Sequence, residues 1–239
     1  MSPTAVAVMA KAPKAGHVKT RLCPPLAPRE AAALARGFLR DRIAQVRGLR
    51  GAQPVIAYTP DREPFARLAP DVPLVPQRGG DLGERMRALL AGLLAAGHRA
   101  AIAVGTDTPT LPAAVLQHAV DLIASGDVDL VLGPAEDGGY YLIGVRADHP
   151  SLFEDVPWST PDVLEITRRR AVAAGLRCAL LPAWFDVDTP DDLARLRAAL
   201  ADDPRAAPAT RRFLTSACLG RRGPGPATSG GSHDAGRRR

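Results

Sequence analysis

Ala5-Val6-Ala7-Val8-Met9 is an unbroken apolar run that leads, one residue on, into Lys11-Ala12-Pro13-Lys14-Ala15-Gly16-His17-Val18-Lys19-Thr20-Arg21-Leu22. A short apolar run bounded by Pro and Gly reads as a strand covered on both faces, as in parallel sheets. The basic segment then lies at the strand's carboxyl end, where open α/β sheets bind ligands. Its lysines and arginine can cradle phosphates, lysine as a point charge and arginine as a bidentate fork. An exposed basic turn is the alternative, because charge runs are commonly solvated faces. The segment is not a P-loop, since His17-Val18 separates Gly16 from Lys19, and the dinucleotide pattern G-x-G-x-x-G is absent.

Outward from this point, strand-like runs at 54–58, 72–75, 100–104, 128–132, 140–145 and 178–181 alternate with helical spacing at 28–46, 82–96, 112–125, 161–174 and 190–200. That alternation implies a mainly parallel sheet with crossover helices. Thr160-Pro161 and Thr189-Pro190 each place a hydroxyl at the N-cap and proline at the first helical position. The organisation expected is one domain over 1–203, a short terminal helix within 204–219 and a disordered tail over 220–239, where Gly, Pro, Ser and Arg show no periodicity.

A chain of 239 residues with 46% hydrophobic content can bury one substantial core. The net charge of +6 suggests a nucleic-acid binder at first sight, but the tail's five arginines and one aspartate contribute +4 and leave +2 for the rest. Aromatics make up 4%, with no basic stretch interleaved with stacking residues, so no nucleic-acid partner is expected. No apolar stretch approaches the ~20 residues of a membrane helix, so no membrane partner is expected and the cytoplasm is the expected location. Three widely spaced cysteines, Cys23, Cys178 and Cys218, give neither a disulfide framework nor a zinc site.

Four further segments have residue types suited to chemistry. In Gly105-Thr106-Asp107-Thr108-Pro109 an apolar strand ends in a lone carboxylate, suited to a hard cation that also binds substrate phosphates, or to a turn cap. In Trp184-Phe185-Asp186-Val187-Asp188-Thr189-Pro190 alternation puts Asp186 and Asp188 on one side, again for a metal or a cap, while Asp191 and Asp192 suit the first helical turn. Glu136-Asp137-Gly138-Gly139-Tyr140-Tyr141 permits close backbone approach to a ligand or a tight turn. Gln77-Arg78-Gly79-Gly80-Asp81-Leu82-Gly83-Glu84-Arg85-Met86 opens a helix whose N-terminus attracts anions, with Asp81 equally readable as its N-cap.

Taken in order over roughly 6–200, these motifs, with Trp158-Ser159-Thr160, resemble a bacterial family of GT-A-type glycosyltransferase-like proteins that includes arsenosugar-biosynthesis glycosyltransferases. The Lys19-Thr20-Arg21-Leu22, Asp107-Thr108-Pro109 and Asp186-Val187-Asp188-Thr189-Pro190 elements are more distantly similar to small guanylyltransferases of molybdenum-cofactor and phospholactate metabolism. The resemblance implies a three-layer α/β/α domain with a mainly parallel mixed sheet. It implies a metal-dependent transferase that takes a nucleotide or nucleotide-sugar donor and a small-molecule acceptor, with Mg²⁺ or Mn²⁺ on Asp107 and Asp188. Lys11, Gly16, Lys19, Arg21, Gln77, Asp81 and Arg85 would hold the nucleotide. Lys19, Arg21, Asp107 and Asp137 would be catalytic, Asp137 as the base of a glycosyl transfer with Glu136 behind it. Tyr140 and Trp158 would line the acceptor site, aromatic faces being suited to sugar rings. Nucleotidyl transfer with release of pyrophosphate, and a nucleotide-binding protein without turnover, are the alternative functions.

Overall fold

The structure, a computed structural model, describes residues 3–220; the tail expected beyond lies outside the described residues. The chain runs β1 (Thr4–Lys11), α1 (Pro28–Arg47), β2 (Ala52–Thr59), α2 (Glu63–Leu68), β3 (Leu74–Pro76), α3 (Leu82–Ala95), β4 (Ala101–Val104) and α4 (Ala113–Ser125). It continues through β5 (Leu130–Pro134), β6 (Tyr140–Val145), α5 (Val163–Ala173), β7 (Cys178–Leu180), α6 (Pro190–Asp202) and α7 (Pro208–Gly220). Among the described residues no helix is long and apolar enough to cross a membrane.

The strands form one sheet in the order β3-β2-β1-β4-β6-β5-β7. All neighbours are parallel except β6, which runs antiparallel to β4 and β5. Winding proceeds outward from β1 through β2 to β3 and then returns to the other side of β1 at β4, so the topological switch point lies between β1 and β4. The alternation of side chains along β1 explains why that strand is apolar throughout. Val6, Val8 and Ala10 join one buried cluster with α1 and α4, and Ala5 and Ala7 join another with α3 and Phe153. A third cluster, built on Leu22, Leu34, Phe38, Leu193, Leu196 and Leu214, fastens α6 and α7 against α1.

Helix starts follow local chemistry, with one correction. The Asp81 carboxylate accepts from the Glu84 N–H at 2.8 Å and caps α3, and Thr189 and Asp192 form a reciprocal capping box on α6. Thr160, expected to cap α5, instead donates its hydroxyl to Pro157 O, and the helix begins at Val163. An early donor of that helix, the Leu164 N–H, is met from across the fold by Gly138 O at 2.9 Å. Helix α2, six residues long, is too short to show periodicity and escaped the sequence reading.

Candidate functional site

The carboxyl ends of β1 and β4 open into a cleft of about 470 Å³, lined among others by Lys11, His17, Lys19, Arg21, Asp107, Tyr141, Asp186 and Asp188. The basic segment reaches it through two left-handed residues, Gly16 (φ 77°) and Lys19 (φ 48°). A Cβ at Gly16 would meet nothing within 4 Å, so backbone conformation rather than crowding calls for glycine there. The 3-10 turn Thr20–Leu22 follows, anchored by the buried Leu22.

Lys19 forms the centre of the site, its side chain only 7% exposed. Its Nζ donates to Asp107 Oδ1 at 2.7 Å, Asp188 Oδ1 at 2.7 Å and Val187 O at 2.9 Å. An ammonium has three protons, and all three have acceptors. Burial is the largest influence on its pKa and lowers it, yet Asp107 and Asp188 together hold it above the ordinary lysine value. The two aspartate segments are also joined through the backbone, where Val187 N–H donates to Asp107 O at 2.8 Å.

Asp186 enters the same cleft with its carboxyl pushed up to about 7, first by burial and then by the charges of Asp107, Asp137 and Asp188. In the unfolded chain this group ionises near pH ~4, whereas the folded chain keeps its proton to near pH 7, so stability falls as pH rises through that window and stays lower above it. Asp186→Asn is therefore expected to melt higher than the wild type by roughly 4–10 °C at pH 8 and to show little difference at pH 4. Melting curves across that range check it, and a gain independent of pH would contradict the assignment.

A buried arginine escaped the sequence reading altogether. Arg42, 1% exposed, donates Nε to Gly105 O at 3.1 Å and Nη2 to Thr108 O and Oγ1 at 2.7 and 2.6 Å. Burial draws its pKa down to about 10, against the pull of Tyr141, Asp107, Asp186 and Asp41. The signal was present in the sequence: Phe38, Arg42 and Val46 recur at a spacing of four on the buried face of α1.

Several expected site residues have other partners. Gln77 spends its amide protons on Ala10 O and Ala57 O, closing the ends of β1 and β2, and it lies outside the cleft lining. Arg85 donates to Gly79 O and Gly80 O of its own turn, and Asp81 is a helix cap; from this helix it is Leu82 and Met86 that line the cleft. Asp137 sits outside the lining with Oδ1 accepting the Gly139 N–H at 2.9 Å, and Glu136 is held in a bidentate pair by Arg195. Tyr140 borders the cleft, but its hydroxyl is buried beside Thr167, and burial raises its pKa. Trp158 packs edge-on to Tyr140 and against Gly83, where a Cβ would come within 2.3 Å of the indole. It faces a second cavity of about 780 Å³ beside Asp81 and Glu84 rather than the cleft.

Comparison with known proteins places this geometry among relatives. The family model described as "Uncharacterized protein conserved in bacteria (DUF2064)" matches residues 42–160. A Desulfovibrio desulfuricans G20 protein, provisionally named a nucleotide-diphospho-sugar transferase, is 33% identical over 92% of this chain and 96% of its own, with a TM-score of 0.85. A cytidylyltransferase from Leptospira borgpetersenii shares the fold at 12% identity and TM-score 0.56, covering 92% of this chain and 96% of its own. Molybdopterin-guanine dinucleotide biosynthesis protein A from Archaeoglobus fulgidus does so at 15% identity and TM-score 0.53, covering 83% of this chain and 99% of its own. No curated protein matches the chain.

Proposed function

The chain belongs to the DUF2064 family of bacterial proteins, and from that premise we propose that it is a metal-dependent transferase acting on a nucleotide-activated donor, with glycosyl transfer to a small acceptor as its reaction. The observation that carries this reading is the convergence of Lys19, Asp107 and Asp188 at the switch point of a doubly wound sheet, where such folds bind ligands.

The residues fit a hard divalent cation. Both Oδ1 atoms lie 2.7 Å from one Nζ and so converge on a point, and the two side chains are 42% and 39% exposed. Among the described residues no donor reaches either Oδ2, and no group of three potential ligands is preassembled. Mg²⁺ characteristically takes one or two carboxylates and completes its shell with water and substrate phosphates. When bound, Mg²⁺ or Mn²⁺ would neutralise charge developing on the leaving phosphate oxygens.

The residues around it have separable tasks. Arg21 and Lys11 hold donor phosphates from the basic segment, and Lys19 joins them once its carboxylates are otherwise satisfied. The acceptor oxygen attacks the sugar carbon, the bond from that carbon to the diphosphate oxygen breaks, and a nucleoside diphosphate leaves. Asp137, outside the cleft lining but near enough for its charge to be felt at Asp186, would take the acceptor proton on Oδ2, its Oδ1 being held by Gly139. One observation favours nucleotidyl transfer as the second reading: Asp137 stands outside the cleft and Glu136 is committed to Arg195. Attack on an α-phosphorus by an already ionised acceptor, with loss of pyrophosphate, needs no base.

A thermal-shift panel of nucleoside diphosphate sugars and nucleoside triphosphates, with and without Mg²⁺ or Mn²⁺, separates the readings, since a ligand of the native state raises its melting temperature. A metal-dependent shift with a nucleotide sugar but not the matching triphosphate is the expected result. The converse supports nucleotidyl transfer, and no shift with either class sinks both.

A further inference from the structure

We infer that Arg42 is the positioning residue of the cation site, acting with Gln45 and Thr108 as one hydrogen-bonded clamp that sets where Asp107 stands. The inference rests on the reading of Asp107 as a metal ligand.

The loop after β4 turns back along α1 and directs three carbonyls toward that helix, those of Gly105, Thr108 and Leu111. Buried carbonyls need donors, and an apolar residue at position 42 would supply none. Arg42 meets Gly105 O through Nε and Thr108 O through Nη2, one on each side of Asp107, and Nη2 also reaches Thr108 Oγ1. Its Nη1 donates to Gln45 Oε1 at 2.8 Å, which fixes the Gln45 amide so that Nε2 donates to Leu111 O at 2.7 Å. The guanidinium is planar, so the separation between its Nε and Nη2 bonds is fixed, and so is the spacing of the two carbonyls that flank Asp107. From the opposite side the Val187 N–H holds Asp107 O at 2.8 Å and ties the loop to the segment of Asp188. Asp107 is thus held by its backbone on both flanks, leaving its carboxylate directed at the cleft.

Packing alone does not account for a cation here. Thr108 is fully buried and Arg42 is 1% exposed, and well-packed apolar replacements of buried charges are often neutral or stabilising. Tyr141, Asp107, Asp186 and Asp41 favour its ionised form, so the cation is coupled through space to two carboxylates of the cleft. Lysine cannot substitute, because three protons on one nitrogen do not span from Gly105 O to Thr108 O in a fixed plane. Groups that orient metal ligands from behind commonly change metal affinity by about 10–100-fold when altered.

The test is Mn²⁺ binding followed by electron paramagnetic resonance, with inorganic pyrophosphate present as the phosphate probe, on the full chain and on three variants. Arg42→Lys keeps the charge and removes the fork, Thr108→Val removes the one hydroxyl acceptor, and Gln45→Met unties Leu111. Melting curves and circular dichroism confirm folding, and if Arg42→Lys does not fold, the two milder variants decide. Mn²⁺ affinity is expected to fall roughly tenfold or more in Arg42→Lys and by a smaller factor in the other two. Unchanged Mn²⁺ affinity in the folded variants, with the wild type binding normally, overturns the positioning role alone. A wild type that takes up no Mn²⁺ even with pyrophosphate overturns the cation assignment, and the inference with it.

Discussion

Lys19→Met is expected to lower turnover by roughly 10²–10³-fold and, in the absence of any nucleotide, to bind Mn²⁺ more tightly than the wild type. The two effects have opposite signs because Lys19 has two tasks. Its three ammonium protons are all committed, to Asp107, Asp188 and Val187 O, so without a donor it is the counter-ion of the two carboxylates. A divalent cation approaching those carboxylates meets a buried positive charge already in place, and removing that charge removes the competitor. On the proposed function, Asp107 and Asp188 would hold a divalent cation once a donor is bound and the Lys19 ammonium would turn to the donor phosphates, a contribution methionine cannot make. Initial rates, with whichever donor raises the melting temperature, measure the first effect, and a Mn²⁺ titration measures the second. Weaker Mn²⁺ binding in Lys19→Met than in the wild type would contradict this division of tasks.

Gly138→Ala is expected to destabilise the chain by about 3–5 kcal/mol and to lower its melting temperature by roughly 6–20 °C. A Cβ on Gly138 would lie 2.0 Å from Pro161 O and 2.6 Å from Pro161 C and Cα, all backbone atoms, and the residue has φ 90°. The contact is tight because Gly138 O serves the Leu164 N–H at the start of α5. Alanine therefore either strains both segments or breaks the bond that docks the Glu136–Gly139 turn on the helix. Differential scanning calorimetry checks it, and a melting temperature within about 2 °C of wild type would mean that the turn docks differently.

What could be read from the sequence was local, and what could not was set by distant partners. The apolar run of β1 and the Thr189-Pro190 start of α6 carry their signals within a few residues, and both elements formed as expected, Asp192 completing a capping box where only a favourable first-turn charge was expected. Alternation put Asp186 and Asp188 on one side, and both line the cleft together with Asp107. The basic segment read first as a phosphate cradle, with a solvated turn as the alternative, and Lys19 at least is not solvated: it is buried between two carboxylates. Thr160 had every local mark of an N-cap, yet its hydroxyl turns to Pro157 O and the helix starts at Val163, where the Leu164 N–H is met by Gly138 O from far away in the chain. Gln77 and Arg85 belong to a Gly-rich turn with the composition of an anion site, but both Gln77 amide protons go to backbone carbonyls and Arg85 folds back onto Gly79 O and Gly80 O of its own turn. Arg42 is the sharpest case. An arginine on an apolar helical stripe is visible as an anomaly, but its carbonyl partners at Gly105 and Thr108 come together only when the chain folds.

Calorimetric titration of nucleotide into wild type and Asp107→Asn, each with and without Mg²⁺, tests the proposed metal-dependent donor site most directly. Asn keeps the shape and the backbone bonds of Asp107 and removes its charge. Metal-dependent affinity is predicted to fall at least about tenfold, or about 1.4 kcal/mol, with circular dichroism unchanged and a lower melting temperature, because the buried Lys19 loses one of its two compensating charges. Equal Mg²⁺-dependent affinity in the two proteins would contradict the placement of the cation on Asp107 and Asp188.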